Sequence, residues 1–552
     1  MPAALRAHGA AIRLREGRLR VLERCDRSAR SAAEIRSPQA RRRQSQSQHP
    51  APTADRRPGL PPLSRLDTIA AIHEGSKEQF VDTWVHDNID WAAEKRPTLR
   101  LDFTSISYSA ISLEQGLKNY LRPIAKKLKI DTVDLDGQDL FKQIIEHLGQ
   151  DKEVVILIDE YEMAVTDFVG RDEARLQENI FTLKKFYGTM KGSSRYIHRT
   201  YITGVSKIGK IGILSDLNML NDLTLDPRFA TLFGYTETEL RHYYADYITE
   251  GAKKYKMTEA VFLGHIKHHY NGYSWDGIDE NRVYNPFSIV NFCQSLEFSN
   301  YWFSTGTPTI LTRGARKQQL TIEDLENFKS TGDLLQSANL KEFYSIALLF
   351  QAGYLTIKEI EHKETSTFYT LSFPNQEVRE SFASYLLAEY VGKDWEETEY
   401  TISFKLKNHL ENEELKDAFQ VFAPVIASTG YDVTKHTEGY FHTIMHVLMY
   451  ATGLSTFSEL ESAEGRLDTI CTSHNAIYIF EFKIDATAET ALAQIKKKNY
   501  AAPFLLQKKN IYLIGVNFVT AEKKINDILV DKWNGKEFIR LEGTFTPKEI
   551  KA

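Results

Sequence analysis

Two carboxylates and an ammonium group near the end of the chain have the types and spacing to hold a divalent metal ion. They lie in Glu464-Gly-Arg-Leu-Asp-Thr-Ile-Cys-Thr-Ser-His-Asn-Ala-Ile-Tyr-Ile-Phe-Glu-Phe-Lys-Ile484. Two apolar runs, 467–471 and 477–484, flank a polar turn at 472–475, which is a hairpin pattern. Folding about that turn sets Asp468 across from 479–481, depending on register. Glu481 and Lys483 are two apart and share one face of their strand. Their neighbours Tyr478, Ile479, Phe480 and Phe482 favour burial on both sides, where isolated charges are costly. A divalent ion bridging the two carboxylates, with the ammonium alongside, offsets that cost. A buried Glu–Lys pair in a plain hairpin is the alternative.

A second carboxylate pair closes the run Val154-Val-Ile-Leu-Ile-Asp-Glu160. Consecutive apolar residues predict a strand buried on both faces of a parallel sheet, and ligands of such sheets bind beyond the carboxyl ends of the strands. Asp159 and Glu160 are therefore expected at a crevice, as in a Walker B element. There the first acid holds the Mg²⁺ of a nucleotide and the second orients the attacking water. An acidic loop after a buried strand is the alternative. The next apolar run, Arg199-Thr-Tyr-Ile-Thr-Gly204, ends where AAA-type NTPases place a γ-phosphate sensor, and Thr203 is the candidate.

The elements that must position these groups follow from periodicity. Residues 98–103 predict a strand, and 113–128 and 140–148 predict helices, the first kinked or split by Pro123. Helices are expected at 238–244, 258–270, 286–296, 322–328 and 342–352. Runs at 354–358 and 368–373 predict a hairpin, either plain or the wing of a winged helix. A helix over 440–452 precedes the acidic hairpin, a helix carrying Gln494 follows it, and a strand over 510–518 completes an α-β-β-β-α-β order. His265 and His269, like His442 and His446, have metal-compatible spacing but lack a third ligand, and they are expected to be ordinary histidines.

The chain has 552 residues, enough for several domains. It contains no apolar run long enough to span a membrane. Its 3 cysteines are scattered, which excludes a disulfide framework and points to a reducing, cytoplasmic setting. Residues 1–66 hold 15 Arg, no Lys and 5 acidic residues. Taken from the totals of 69 basic and 74 acidic residues, that leaves 54 basic against 69 acidic in 67–552. The body is acidic, so any nucleic-acid contact must rest on a local patch. Residues 1–66 cannot bury enough apolar area to order themselves. They are expected to be disordered, or translated through a frameshift, an unspliced intron or a misassigned start.

The motifs Ile158-Asp-Glu-Tyr, Tyr201-Ile-Thr-Gly-Val-Ser-Lys207, Asp226-Pro-Arg-Phe-Ala-Thr-Leu-Phe-Gly-Tyr-Thr-Glu237, Tyr270-Asn-Gly-Tyr-Ser-Trp-Asp-Gly277, Val283-Tyr-Asn-Pro-Phe-Ser288 and Asn300-Tyr-Trp-Phe-Ser-Thr-Gly-Thr-Pro308 resemble those of a known family. It is the predicted AAA-ATPase-like family whose members end in a PD-(D/E)XK nuclease-like domain. The likeness runs from about Leu66 to about Trp533. It implies that Asp468 and Glu481 bind Mg²⁺, that Lys483 positions the attacking water or offsets phosphorane charge, and that Gln494 borders the site. Tyr500 and the accessory acid Glu459 match further family positions. The family also has a phosphate loop before the helix that here holds Asp67 to Ile72. This chain instead reads Arg56-Arg-Pro-Gly-Leu-Pro-Pro-Leu-Ser-Arg65, without Gly-Lys-Ser. The amides and lysine that cradle phosphates are missing, so ATP turnover is not expected. Gly204-Val-Ser-Lys-Ile-Gly-Lys-Ile211 imitates the loop but lacks its Mg²⁺-binding hydroxyl.

The expected fold is α/β. A P-loop NTPase-like, AAA-type parallel-sheet domain spans 67–235, and a helical lid and connector spans 236–435. A restriction-endonuclease-like domain spans 436–540, followed by a tail at 541–552. The expected function is a metal-dependent nuclease, with DNA rather than RNA as partner, no membrane, and oligomeric state left open. An NTP-driven remodeller whose phosphate loop is lost from this reading frame, and an inactive scaffold, are the alternatives.

Overall fold

The computed structural model describes residues 65–81, 84–169, 171–204, 220, 222–302, 322–335, 346–364, 366–391, 396–427, 438–462, 465–519, 524–543 and 545. The expectations for 1–64, for the phosphate-loop imitation beyond Gly204, and for 303–308 lie outside these residues. The chain divides into two units, Met1–Gly306 with Lys329–Asn375, and Thr307–Phe328 with Gln376–Ala552.

In the first unit, helix α1 (Arg65–Glu74) precedes strand β1 (Thr98–Asp102). Helices α2 (Leu113–Lys127) and α3 (Gly137–Leu148), strand β2 (Val154–Asp159), helix α4 (Glu173–Gly192) and strand β3 (Ile197–Ile202) follow. The strands form a parallel sheet in the order β1-β2-β3. Residues Val154 to Ile158 are all buried. Val155 and Leu157 pack with Leu66 and Ala70 of α1, while Phe141 of α3 stacks on Phe186 of α4 with ring centroids 4.2 Å apart.

Of the two expected effects of Pro123, the split does not occur: one helix runs Leu113–Lys127 with Pro123 inside it. The buried stripe Leu113, Gly116, Leu117, Leu121 and Ala125 continues through the proline. That packing offsets the missing amide.

Helices α5 (Glu237–Tyr243), α6 (Ala245–Lys254), α7 (Glu259–Tyr270) and α8 (Pro286–Ser295) enclose an aromatic-rich core of the same unit. The expected hairpin exists as β5 (Thr356–Lys363) and β6 (Ser366–Ser372), joined by a short β4 (Lys329–Thr331) in the order β4-β6-β5. Glu361 lies between Lys329 and Lys363, at 3.7 and 3.3 Å. The hairpin therefore offers a phosphate backbone no uniformly basic face.

The second unit contains α9 (Gln376–Val391), α10 (Glu396–Glu411) and α11 (Glu438–Ala451). They are followed by β7 (Ser455–Ser462), β8 (Gly465–Thr472), β9 (Ala476–Ile484), α12 (Ala488–Lys497), β10 (Asn510–Val519), β11 (Lys524–Trp533) and β12 (Phe538–Arg540). The sheet order is β12-β11-β10-β9-β8-β7. Strand β9 is antiparallel to β8 and parallel to β10. The two strands after β10 extend the sheet beyond the expected α-β-β-β-α-β order.

Candidate metal centre

The acidic hairpin forms with Thr469 opposite Phe480 and Cys471 opposite Tyr478. One more step of that register sets Asp468 opposite Glu481. Both lie on the face covered by α12, where Ile470, Ile477 and Ile479 pack with Leu492 and Ile495. Strand β7 extends the ladder, with Ser458 opposite Thr469 and Leu460 opposite Leu467. Glu459 thereby takes the backbone position opposite Asp468.

The Phe482 amide donates to Asp468 Oδ2 at 2.8 Å, and Lys483 Nζ donates to Glu481 Oε1 at 3.0 Å. The Glu481 side chain is fully buried, yet its Oε2 accepts no hydrogen bond. Burial first, then the Asp468 charge, pushes the Glu481 acid up to about 7, against the pull of Lys483 and of the Asp468 backbone amide. Tyr500 is raised by burial and by the same two carboxylates, with Gln494 as partner of its hydroxyl. Asp468, Glu481, Lys483, Gln494 and Tyr500 are thus brought into one neighbourhood.

Sequence reasoning misses Gly515. In parallel register it lies beside Glu481, and a Cβ there would stand 2.3 Å from the Ala488 carbonyl oxygen. Its bareness lets α12, which carries Gln494, close on the sheet at the level of Glu481. A lone glycine in an apolar strand was the available signal. Asn517, buried and beside Lys483, is also missed. Its Oδ1 accepts from the Ala486 amide at 3.1 Å and fixes the turn into α12.

This arrangement fits a hard divalent cation. Two carboxylates supply oxygen ligands of the kind Mg²⁺ takes, and one buried oxygen lacks the partner that such burial demands. Elsewhere, His409, Glu414 and Asp417 form a cluster of the kind that can hold a metal. Glu414 and Asp417 are exposed, and His409 Nδ1 is 2.7 Å from Glu414, an ordinary surface pair. Among the described residues, His265, His269 and His446 belong to no such cluster, and the His442 side chain lies outside them. His269 packs on Tyr270 and Phe298, and His446 on Phe482.

In the other unit, Thr203 Oγ1 donates to Asp159 Oδ1, and the Thr203 amide donates to the Ile158 carbonyl at 2.9 Å. The two expected residues meet at the carboxyl ends of adjacent strands. Glu160 is set apart from them. Its backbone takes φ 54° and its side chain is buried, where its charge helps raise the Tyr108 phenol behind burial and Asp167. A residue's type does not reveal that twist, so Glu160 lies inside the fold rather than at an open crevice.

The sequence matches the family described as Predicted AAA-ATPase over residues 63–214 and the PD-(D/E)XK nuclease superfamily over 436–528. A protein of Azotobacter chroococcum mcd 1, described as an uncharacterized protein in the vnfD 5′ region, is 30% identical over 476 residues. The alignment covers 84% of this chain and 89% of that protein. No solved structure matches. Asp159 and Thr203 fall in the first matched region, and Asp468, Glu481, Lys483 and Gln494 in the second.

Proposed function

The chain belongs to the predicted AAA-ATPase-like family that carries a PD-(D/E)XK nuclease-superfamily domain, and on that premise we propose that residues 436–540 hydrolyse phosphodiester bonds in DNA. The carrying observation is the buried Glu481 carboxylate, one oxygen of which has no partner, beside Asp468. Asp468 and Glu481 would hold Mg²⁺, which when bound supplies charge stabilisation at the phosphate and an acidified water. Lys483, tied to Glu481 and 20% exposed, positions that water or offsets charge on the phosphate oxygens. Gln494 and Tyr500 border the two carboxylates, and Glu459 is the further acid. The order α11-β7-β8-β9-α12-β10 supports a restriction-endonuclease-like domain.

Asp159 and Thr203 supply the acid and sensor of a nucleotide site. The chain nevertheless contains no Gly-Lys-Ser or Gly-Lys-Thr, so ATP turnover is assigned no part in cleavage.

The test is nicking of supercoiled plasmid by the full chain, with single-stranded RNA as a parallel substrate. Nicking is expected with Mg²⁺ and not with EDTA. Glu481→Ala and Lys483→Ala should each lower it by at least about a hundredfold, the scale of losing one transition-state contact. Lys483→Ala should still take up Mn²⁺, read by its electron spin resonance signal, whereas Glu481→Ala should not. A folded wild-type chain that cuts neither substrate overturns the reading.

A further inference from the structure

The segment Gln494 to Asn510 contains 5 lysines, Lys496, Lys497, Lys498, Lys508 and Lys509, and no acidic residue. It stands out in a body with 69 acidic against 54 basic residues over 67–552. The segment leaves α12 through Tyr500, beside the two carboxylates. It then coils tightly: Ala502 donates to the Asn499 carbonyl at 3.0 Å, and Phe504 and Gln507 donate to those of Ala501 and Phe504, both at 2.9 Å. Its far end is pinned by Lys509 Nζ on the Ser473 carbonyl at 2.8 Å and by the Asn510 amide on that of Asn475 at 2.9 Å. Phe504 and Leu505 pack on the domain core, while Leu506 is 97% exposed.

An exposed leucine at the tip of a loop tethered at both ends forgoes roughly 1.5–3 kcal/mol of burial. The lysines indicate what covers it. Lys496 is engaged by Asp531 and Lys509 by Ser473, whereas Lys497 and Lys508 are exposed, a local field suited to a polyanion. Leu506 lies six residues beyond Tyr500, so at most about 21 Å from it. That limit is about six rises of 3.4 Å along a duplex strand, and the coiling of the segment brings Leu506 nearer than this.

We infer that this segment is the substrate grip of the site: Lys497 and Lys508 contact duplex phosphates, and Leu506 enters a base step near the bond to be cut. Apolar wedges of this kind unstack a step and bend the duplex, gaining wrapped protein surface in exchange. The inference rests on the nuclease reading, and it names double-stranded DNA as the substrate class.

The experiment measures binding without cleavage, using the full chain in EDTA and a duplex carrying 2-aminopurine. Wild type should raise 2-aminopurine fluorescence on binding, which reports unstacking. Leu506→Ser, at a site with no packing to lose, should abolish the rise and weaken binding by about threefold to tenfold, as loss of one wedge would. Lys497→Ala with Lys508→Ala should keep the rise at saturation and flatten the dependence of log K on log salt by about 1.8. An unchanged fluorescence rise in Leu506→Ser overturns the grip, even where Mg²⁺-dependent nicking stands. A rise lost in Leu506→Ser, in a chain that never nicks DNA, supports the grip and removes the nuclease reading. Leu506-dependent sedimentation with phosphatidylserine vesicles, with duplex binding unaffected, also overturns it and makes the loop a lipid anchor.

Discussion

Replacing Glu481 with Gln removes a charge that the fold holds at a cost. Its acid titrates at about 7 in the folded chain against the ordinary 4.5. The folded state therefore keeps the proton to higher pH than the unfolded state does. Stability from this group is fully present below about 4.5 and is lost as pH rises through about 7, by about 3 kcal/mol in all. Gln carries no charge at any pH and nearly the same volume. Lys483, already reaching solvent, can turn outward without leaving a buried ammonium. At pH 8 in EDTA the variant should be more stable than wild type by up to about 3 kcal/mol, and near pH 4.5 the two should be nearly equal. Hydrogen exchange of β9 peptides, read by mass spectrometry, is the local assay. The variant's amides should exchange up to roughly a hundredfold more slowly at pH 8 and at the wild-type rate near pH 4.5. Mg²⁺ should slow exchange in wild type by the mass-action factor of a ligand bound only to the folded state, and leave the variant unchanged. A Gln variant that is less protected at pH 8, or equally gained at both pH values, would refute the argument that burial and Asp468 together strain this carboxylate.

Gly515→Ala should destabilise the second unit by about 1–3 kcal/mol. Its Cβ meets the Ala488 backbone oxygen rather than a movable side chain, so α12 must shift and carry Gln494 from the site. Thermal unfolding followed at Trp533 would show the loss, and nicking should fall with it; an unshifted midpoint refutes the close approach. Thr203→Val removes the hydroxyl that donates to Asp159 at nearly constant volume. It should cost the first unit about 1 kcal/mol and leave Mg²⁺-dependent nicking intact. A nicking rate reduced more than about tenfold, worth 1.4 kcal/mol, would contradict the assignment of cleavage to the second unit alone.

The elements with strong periodic signals were legible. Strand β2 followed from its five apolar residues, and the acidic hairpin from two apolar runs about a polar turn. Helix α7 followed from its apolar spacing, and the structure caps it with Thr258, whose side chain accepts from the Val261 amide. The rest failed for identifiable reasons. Strand β7, Ser-Thr-Phe-Ser-Glu-Leu-Glu-Ser, was required by the expected order but not located, because it sits at a sheet edge, where little apolar content is required. Strand β11 contains Asp531, which is buried yet resembles a surface residue. What makes it tolerable, ion pairs with Lys496 and Arg540, comes from elsewhere in the sequence. The same holds for Gly515, whose role depends on where α12 returns.

The motifs that make the family resemblance specific are mostly not the groups that would do chemistry, and hydrogen bonding separates the two kinds. In Tyr270 to Gly277, the Ser274 amide donates to Thr356 Oγ1 at 2.7 Å, and its own Oγ accepts from the Gly277 amide at 2.9 Å. Asp276 accepts from the Ile278 amide at 3.0 Å and from Asn281 Nδ2 at 2.6 Å. Asn285 caps α8 through the Phe287 amide at 2.9 Å. Gly272, at φ +123°, is needed because a Cβ there would overlap the Pro374 carbonyl. These residues are spent on holding a turn and a helix start, and substituting them would unfold before it uncoupled. Glu481 differs from them: one oxygen is tied to Lys483, while the other is buried beside a like charge with nothing to accept from. A fold gains no stability from such a group at neutral pH. A bound cation, as proposed above, would account for its presence, and on that proposal the functional weight of the chain falls on the second unit.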